Sequence, residues 1–403
     1  MKKILIFSTA YLPFIGGAEI AVKEITDRLS PEVQGGEPGN FYFDLITARL
    51  DKNLPREEKV GRVDVYRIGW GSKLDKFILP IFGLIKARSL NRKNNYVLAW
   101  AIMASQAGIA AAFFKIFTPG KKMLLTLQEG DEEEHLKRYA FGSTILYKIF
   151  VQPLHQLVIK KADCITAISK HLKERAIKAG SRVRAEVVPN GVDWNKFSPS
   201  DDKGNLQFSD NDFKSKLGLR DEKVIITVSR LVKKNGVEDL IRAMKMLKDE
   251  SGELKFILLI VGTGELEGKL KALAKELGLY NVIKFLGRIP NEEIPKYLWI
   301  SDVFVRASLS EGLGNVFLEA MAAEAPVIAT PVGGITDFLV NGENGLFCEV
   351  NNPASIKEKI KMLLDNGALR EKLVLGGKRT VAEKYNWDNI AQKMDQIFKG
   401  LIK

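Results

Sequence analysis

The chain has 403 residues, room for two or three domains, and its 46% hydrophobic and 27% charged residues exclude a disordered or fibrous protein. A net charge of +12 favours an anionic partner, whether phosphorylated small molecule, anionic membrane or nucleic acid, although solubility alone also accounts for it. Two cysteines without metal-like spacing and three scattered histidines exclude a disulfide framework and a zinc cluster, and suit a reducing cytoplasm.

In chain order, "MKKILIFSTA" carries an apolar run too short for a signal-peptide core and reads as a first strand. "STAYLPFIGGAEIAV" then turns into a helix. Gly16 and Gly17 there let backbone approach a ligand at a helix start with free amides. This is not G-x-G-x-x-G, so a dinucleotide fingerprint is absent, and a plain strand-to-helix turn is the competing reading. In "AEIAVKEITDRL", Ile20, Ile25 and Leu29 keep helical spacing. The runs "FDLITA", "VDVYRI", "YVLAWA", "MLLTLQ", "CITAIS" and "EVVPNG" have strand length, with helical patterns between most of them. Residues 97–114 are uncharged and long enough to suggest a membrane span. Their alanines and polar Ser105 and Gln106 instead fit a buried strand followed by a buried helix.

After Pro199 the chain becomes polar and reads as a linker, and a second series follows: "KVIITVSR", "KFILLIVGTG", "VIKFLGRI", "DVFVRAS", "PVIATP" and "GLFCEV". Continuous apolar strands separated by helices mean parallel sheets buried on both faces. The expected fold class is α/β, with two doubly wound, Rossmann-like parallel-sheet domains at 1–193 and 211–382 joined by 194–210. Ligands of such sheets bind beyond the carboxyl ends of the strands, and two sets of ends facing each other make a cleft.

Three loops of the second half carry chemistry. In "VSRLVKKNG", Arg230 ends a strand and Lys234 follows, a fork and a point charge suited to phosphate. In "LIVGTGELEGKL", Gly262 and Gly264 lie between strand and helix, a weak signal taken singly. In "SLSEGLGNVFLEAMA", Glu311 precedes a Gly312-Leu313-Gly314 turn, Asn315 opens a helix, and Glu319 lies more than a turn inside it, about 7–8 Å along the axis. The glycines free amides for an anion. An ionised acid only accepts hydrogen bonds, so two acids flanking a phosphate pocket suit hydroxylated groups on either side of a diphosphate. A nucleotide sugar has that layout.

With these residues in view, the chain resembles the retaining glycosyltransferases of family 4, which have the GT-B fold. The motifs are "SEGLGNVFLEAM", "ADCITAISKHLKE" with "VVPNGVDWNKFSP", "SRLVKKNGVEDLIRA", "APVIATPVGGITDFLVNGENGLF" and "YNWDNIAQKM", in that order along nearly the whole chain. The resemblance implies transfer of a sugar from a UDP- or GDP-sugar to an acceptor hydroxyl with retention, without a required metal or other cofactor. It implies that residues 383–403 cross back onto the first domain. Glu311 would meet the donor sugar and Glu319 the ribose. Gly312, Leu313, Gly314 and Asn315 would meet phosphate and sugar, Gly16 and Gly17 the donor, and Arg230 the diphosphate. Two positions depart from the pattern. Asn235 stands where the family carries a phosphate-binding lysine, leaving Lys234 to compensate. Gln128 stands where many members carry a histidine, and glutamine is no base at neutral pH. Glu129 or Asp131 would then assist. The Asp-x-Asp spacing at 210–212 lies in the polar linker and reads as chance.

The acceptor is less legible. Residues 73–93 and 137–161 are basic and apolar together, which fits ordinary core-facing helices with solvated lysines, or else peripheral contact with an anionic membrane and a lipid-linked or glycan acceptor at the cytoplasmic face. Other readings are a non-catalytic nucleotide-sugar-binding protein, or another GT-B enzyme such as a phosphorylase or sugar-nucleotide epimerase. No aromatic stacking platform or known module supports nucleic-acid binding.

Overall fold

The computed structural model describes residues 2–31, 39–128, 143, 145, 151–200, 210–250 and 255–403. The chain divides into two compact units, Met1–Asn190 with Trp387–Lys403, and Gly191–Asn386. Both contain the parallel sheets expected of a GT-B protein.

In the first unit, β1 (Lys2–Phe7), β2 (Phe41–Ala48), β3 (Glu57–Val60), β4 (Val63–Ile68), β5 (Leu98–Ile102), β6 (Lys122–Leu127), β7 (Cys164–Ala167) and β8 (Arg184–Val187) form a sheet in the order β3-β4-β2-β1-β5-β6-β7-β8. Neighbours are parallel except β3, which pairs antiparallel with β4. That hairpin is not legible as a strand pair in "EEKVGRV", because β3 is short, charged and largely exposed; Gly61, at φ 57°, makes its turn. The helices here are α1 (Gly17–Leu29), α2 (Leu79–Asn94), α3 (Gln106–Phe117), α4 (Gln152–Lys161) and α5 (Lys170–Lys178). The apolar stretch 97–114 is divided between β5 and α3, whose Ala107, Ala110, Ala111 and Ala112 are fully buried. Small residues let this helix lie close to the sheet; a Cβ on Gly108 would stand 2.5 Å from the Met103 carbonyl oxygen. Among the described residues no helix is long and apolar enough to cross a membrane.

The second unit holds β9 (Lys223–Val228), β10 (Phe256–Val261), β11 (Ile283–Gly287), β12 (Val303–Arg306), β13 (Val327–Ala329) and β14 (Leu346–Phe347), all parallel, in the order β11-β10-β9-β12-β13-β14. Its helices are α6 (Trp194–Phe197), α7 (Asp210–Lys216), α8 (Val237–Glu250), α9 (Glu267–Glu276), α10 (Ile294–Trp299), α11 (Asn315–Ala322), α12 (Pro353–Asp365) and α13 (Gly367–Lys384). Residues 191–198 pack within this unit: Trp299 Nε1 donates to the Phe197 carbonyl at 2.7 Å, and Val192 N donates to the Tyr385 carbonyl at 2.8 Å. Asp212 lies in α7 rather than in an open linker.

The last helix, α14 (Trp387–Ile402), belongs to the first unit. Its buried Trp387, Ile390, Ala391, Met394, Ile397 and Phe398 follow helical spacing along one face. Phe398 sits between Phe41 and Trp100, with ring centroids 5.5 and 5.2 Å away in edge arrangements. Arg28 Nε also donates to Asp388 Oδ1 at 2.6 Å.

Candidate functional site

In the second unit the carboxyl ends of β9, β10 and β12 bring the three glycine-bearing loops together. Gly262 (φ 124°) donates its amide to the Gly287 carbonyl at 2.7 Å, and a Cβ on it would stand 1.9 Å from the Ser229 carbonyl oxygen. A Cβ on Gly264 would come within 2.3 Å of the Leu231 carbonyl oxygen. These glycines therefore have a packing reason: they seat the β10–α9 turn against the loop carrying Arg230. Arg230 itself is exposed, Lys234 partly so.

The Arg230 loop is tied to the β12–α11 loop on its other side. Leu309 N donates to the Lys234 carbonyl at 2.7 Å. Gly236 is left-handed at φ 64°, where a Cβ would collide with the Ala307 carbonyl oxygen at 1.8 Å. Asn235, found in place of a lysine, is buried at 2% exposure. Its Nδ2 donates to the Arg230 carbonyl at 2.6 Å, and its Oδ1 accepts from Arg306 Nη2 at 2.7 Å.

Glu311 leads into the start of α11. Its Oε2 accepts from Arg306 Nη2 at 2.5 Å, and the amide of Gly312 donates to its Oε1 at 3.1 Å. Gly314 occupies the N-cap at φ 86°, a left-handed conformation that glycine adopts without strain. A glycine cap supplies no side chain, and the first turn carries no acid, so the α11 start keeps its positive end uncompensated from within the helix. Leu313 is buried beneath the turn, and Asn315 is the first helical residue. Further along, Glu319 is only partly exposed. Burial pushes its carboxyl up to about 7, against the opposing charge of Lys196 on α6. Two acids, an open helix start and a loop with Arg230 and Lys234 thus share one end of one sheet.

In the first unit, Gly16 caps α1 with extended backbone and no side-chain bond. Glu19, in the first turn, lies over it: a Cβ on Gly16 would stand 2.5 Å from Glu19 Oε2. Burial raises the Glu19 carboxyl, and hydrogen bonds from the amides of Glu19 and Gly16 pull it back. Gln128, just after β6, forms a reciprocal amide pair with Asn190, Nε2 donating to Asn190 Oδ1 at 2.9 Å and Asn190 Nδ2 donating to Gln128 Oε1 at 2.8 Å. Asn190 Nδ2 also lies 3.5 Å from the Gly17 carbonyl. The structure therefore gathers Gly17, Gln128 and Asn190 in this unit. Glu129 and Asp131 lie outside the described residues, as does most of 137–150.

Sequence reasoning missed Asn190, Lys196, Glu19 and Arg306 as contributors. Asn190 stands in the quoted "VVPNG", and Arg306 was visible as a cation closing the otherwise apolar strand "VFVR". Among the described residues no group of three or more His, Cys, Asp or Glu is placed to hold a metal ion.

The family model described as Glycosyl transferases group 1 matches residues 209–380, and that described as Glycosyltransferase Family 4 matches residues 15–196. A glycosyltransferase of Methanocaldococcus jannaschii is 34% identical, covering 98% of each chain. The GDP-mannose-dependent alpha-(1-6)-phosphatidylinositol monomannoside mannosyltransferase of Mycolicibacterium smegmatis is 29% identical over 59% of this chain and 63% of its own. The crystal structure of Anabaena HepE in complex with UDP-glucose superposes with a TM-score of 0.76 at 19% identity, covering 99% of this chain and 100% of that one, a likeness of fold.

Proposed function

This chain belongs to the family 4, group 1 glycosyltransferases, and from that premise we propose that it moves a sugar from a UDP- or GDP-sugar to an acceptor hydroxyl, with retention and without a metal. The observation that carries the reading is the open start of α11, framed by Glu311 and Glu319 and flanked by the Arg230 loop. Amides of Leu313, Gly314 and Asn315 donate to phosphate and sugar oxygens there, joined by that of Gly312 when it exchanges its bond to Glu311 Oε1 for the ligand. Glu319 accepts from the ribose and Glu311 from the donor sugar. Arg230 and Lys234 neutralise the diphosphate, the charge work a metal ion would otherwise do. The bond between the anomeric carbon and the diphosphate oxygen breaks through an oxocarbenium-like state. The acceptor oxygen attacks from the same face, and its proton passes to the departing diphosphate. Gly16, Gly17 and Gln128 are assigned sugar contacts in the first unit, with Gly262 and Gly264 shaping the donor loop behind Arg230.

For the donor, UDP-glucose in Anabaena HepE and GDP-mannose in the Mycolicibacterium relative support the two nucleotide classes. For the acceptor, we favour a lipid-linked or cell-surface glycan at the cytoplasmic face of a membrane. The phosphatidylinositol mannoside named for that relative supports it. So does a surface on α2 and the turn before it, where Leu74, Phe77, Ile81 and Ile85 are exposed beside exposed Lys73 and Arg88.

The test is a donor panel read by release of UDP or GDP, with the anomeric configuration of the product assigned by NMR. Retention with one donor class is expected in the presence of a chelator. Absence of nucleotide release from every donor and acceptor, or an inverted product, would overturn the reading.

A further inference from the structure

Arg306 ends a strand whose preceding residues, Val303, Phe304 and Val305, are fully buried. Its side chain is 11% exposed. A charge this enclosed is costly unless paired and hydrogen-bonded. The pairing here is specific. One nitrogen, Nη2, donates both to Glu311 Oε2 at 2.5 Å and to Asn235 Oδ1 at 2.7 Å. Asn235 passes the connection on, its Nδ2 donating to the Arg230 carbonyl at 2.6 Å. The guanidinium also lies over the Phe317 ring, 5.5 Å from the centroid, and Phe317 belongs to α11. Among the described residues its Nε is buried without a hydrogen-bond partner.

Each part depends on the others. A lysine at 235 would set a second cation against Arg306 where the amide oxygen now accepts. A neutral side chain at 306 would leave Glu311 without its counter-charge and Asn235 Oδ1 without its donor. Glu311 and Arg230 occupy different loops, and the route Glu311–Arg306–Asn235–Arg230 joins them through side chains held inside the unit.

We propose that Arg306 is a positioning residue that, with Asn235, couples the sugar-facing Glu311 to the diphosphate-facing loop of Arg230, so that both ends of the donor site are held in one geometry. The assignment rests on the proposed donor site. Arg306 works by fixing the Glu311 carboxylate in direction and by holding the Arg230 backbone through the Asn235 amide. Misplacement of such groups costs turnover more than binding of the nucleotide, because the sugar must be aligned for departure.

The experiment compares wild type, Arg306→Leu, Arg306→Lys, Asn235→Ala and the double variant Arg306→Leu/Asn235→Lys. Turnover is read with UDP-glucose and GDP-mannose, and affinity with UDP and GDP by calorimetry. Circular dichroism checks the fold. Arg306→Leu is expected to lower kcat on the order of 100-fold with a much smaller loss of nucleotide affinity. Arg306→Lys recovers part of kcat, because it keeps the charge and loses the planar reach. Asn235→Ala lowers kcat in the same direction, and the double variant exceeds Arg306→Leu because a cation is returned from the neighbouring loop. Wild-type kcat in both Arg306→Leu and Asn235→Ala overturns the proposal while leaving the donor site standing. A parallel loss of nucleotide affinity in Arg306→Leu also overturns it, by making Arg306 a binding group. If Arg306→Leu fails to fold, Arg306→Lys and Asn235→Ala carry the test alone. If wild type neither binds UDP or GDP nor turns over a donor, the donor site itself fails and the coupling with it.

Discussion

Glu319 offers a test of the ribose assignment that requires no knowledge of the acceptor. Burial moves its carboxyl from 4.5 to about 7 in the folded chain. At about 1.36 kcal/mol per unit of pKa, holding the ionised form there costs roughly 3 kcal/mol. Below pH 4.5 both folded and unfolded chains carry the proton and no cost arises. Between 4.5 and about 7 the unfolded chain loses the proton first, so unfolding is increasingly favoured as pH rises. Above about 7 the full cost is present. A ribose donating two hydroxyls to this group reverses the preference, since hydrogen bonds to the charged form stabilise it. Donor binding should then release a proton near pH 6.5, and affinity should rise with pH up to about 7 and level off. A nucleotide sugar is the right ligand, because its diphosphate has no proton to lose near neutrality, unlike that of free UDP or GDP. Calorimetry in two buffers of different ionisation enthalpy measures the release directly. Glu319→Gln should abolish both the release and the pH slope, weaken the nucleotide sugar, and raise the melting temperature of the ligand-free protein at pH 8. Unchanged proton release in Glu319→Gln, or a wild type whose affinity is flat from pH 5.5 to 8, would refute the reasoning.

Glu311→Ala should abolish turnover while leaving a folded protein that still binds UDP or GDP, and wild-type kinetics in this variant would remove the sugar assignment. Gly333→Ala forces a side chain into a left-handed position (φ 54°) with its Cβ 1.9 Å from the Glu311 carbonyl oxygen. It should destabilise by more than about 1 kcal/mol and slow turnover, whereas Gly268→Ala in α9, with no atom of the described residues within 4 Å of its Cβ, should be neutral or stabilising in thermal unfolding. Phe398→Ala removes a ring packed by Phe41 and Trp100 and should cost about 3–5 kcal/mol in denaturant unfolding. Flotation should carry the protein with anionic liposomes and not with neutral ones, and Ile81→Glu with Ile85→Glu should abolish it; equal recovery of wild type and variant would discard the α2 surface.

Most of the fold was legible in the sequence because buried parallel strands read as continuous apolar runs. "KFILLIVGTG" is β10 and its turn, and "YVLAWA" with the alanine-rich run after it is β5 and α3. The open start of α11 was legible too, since glycine spacing and flanking acids are local features. Gly262 and Gly264 were seen as loop glycines, yet their tight approach to the Arg230 loop depends on chain segments about 30 residues apart and emerges only on folding. Hairpin β3–β4 escaped notice because charge on a short edge strand hides its pairing. The sequence by itself determined the strands, the glycine-bearing loops between strand and helix, and the absence of a lysine at 235. Tertiary structure decided what stands in that place. A neutral amide has no electrostatic meaning until a neighbour is known, and only the pairing of β12 beside β9 brings Arg306, already bonded to Glu311 in the loop that follows it, against Asn235. Likewise Glu319 is an ordinary acid in the linear chain, and the packing of α11 against the rest of its unit is what raises it to about 7.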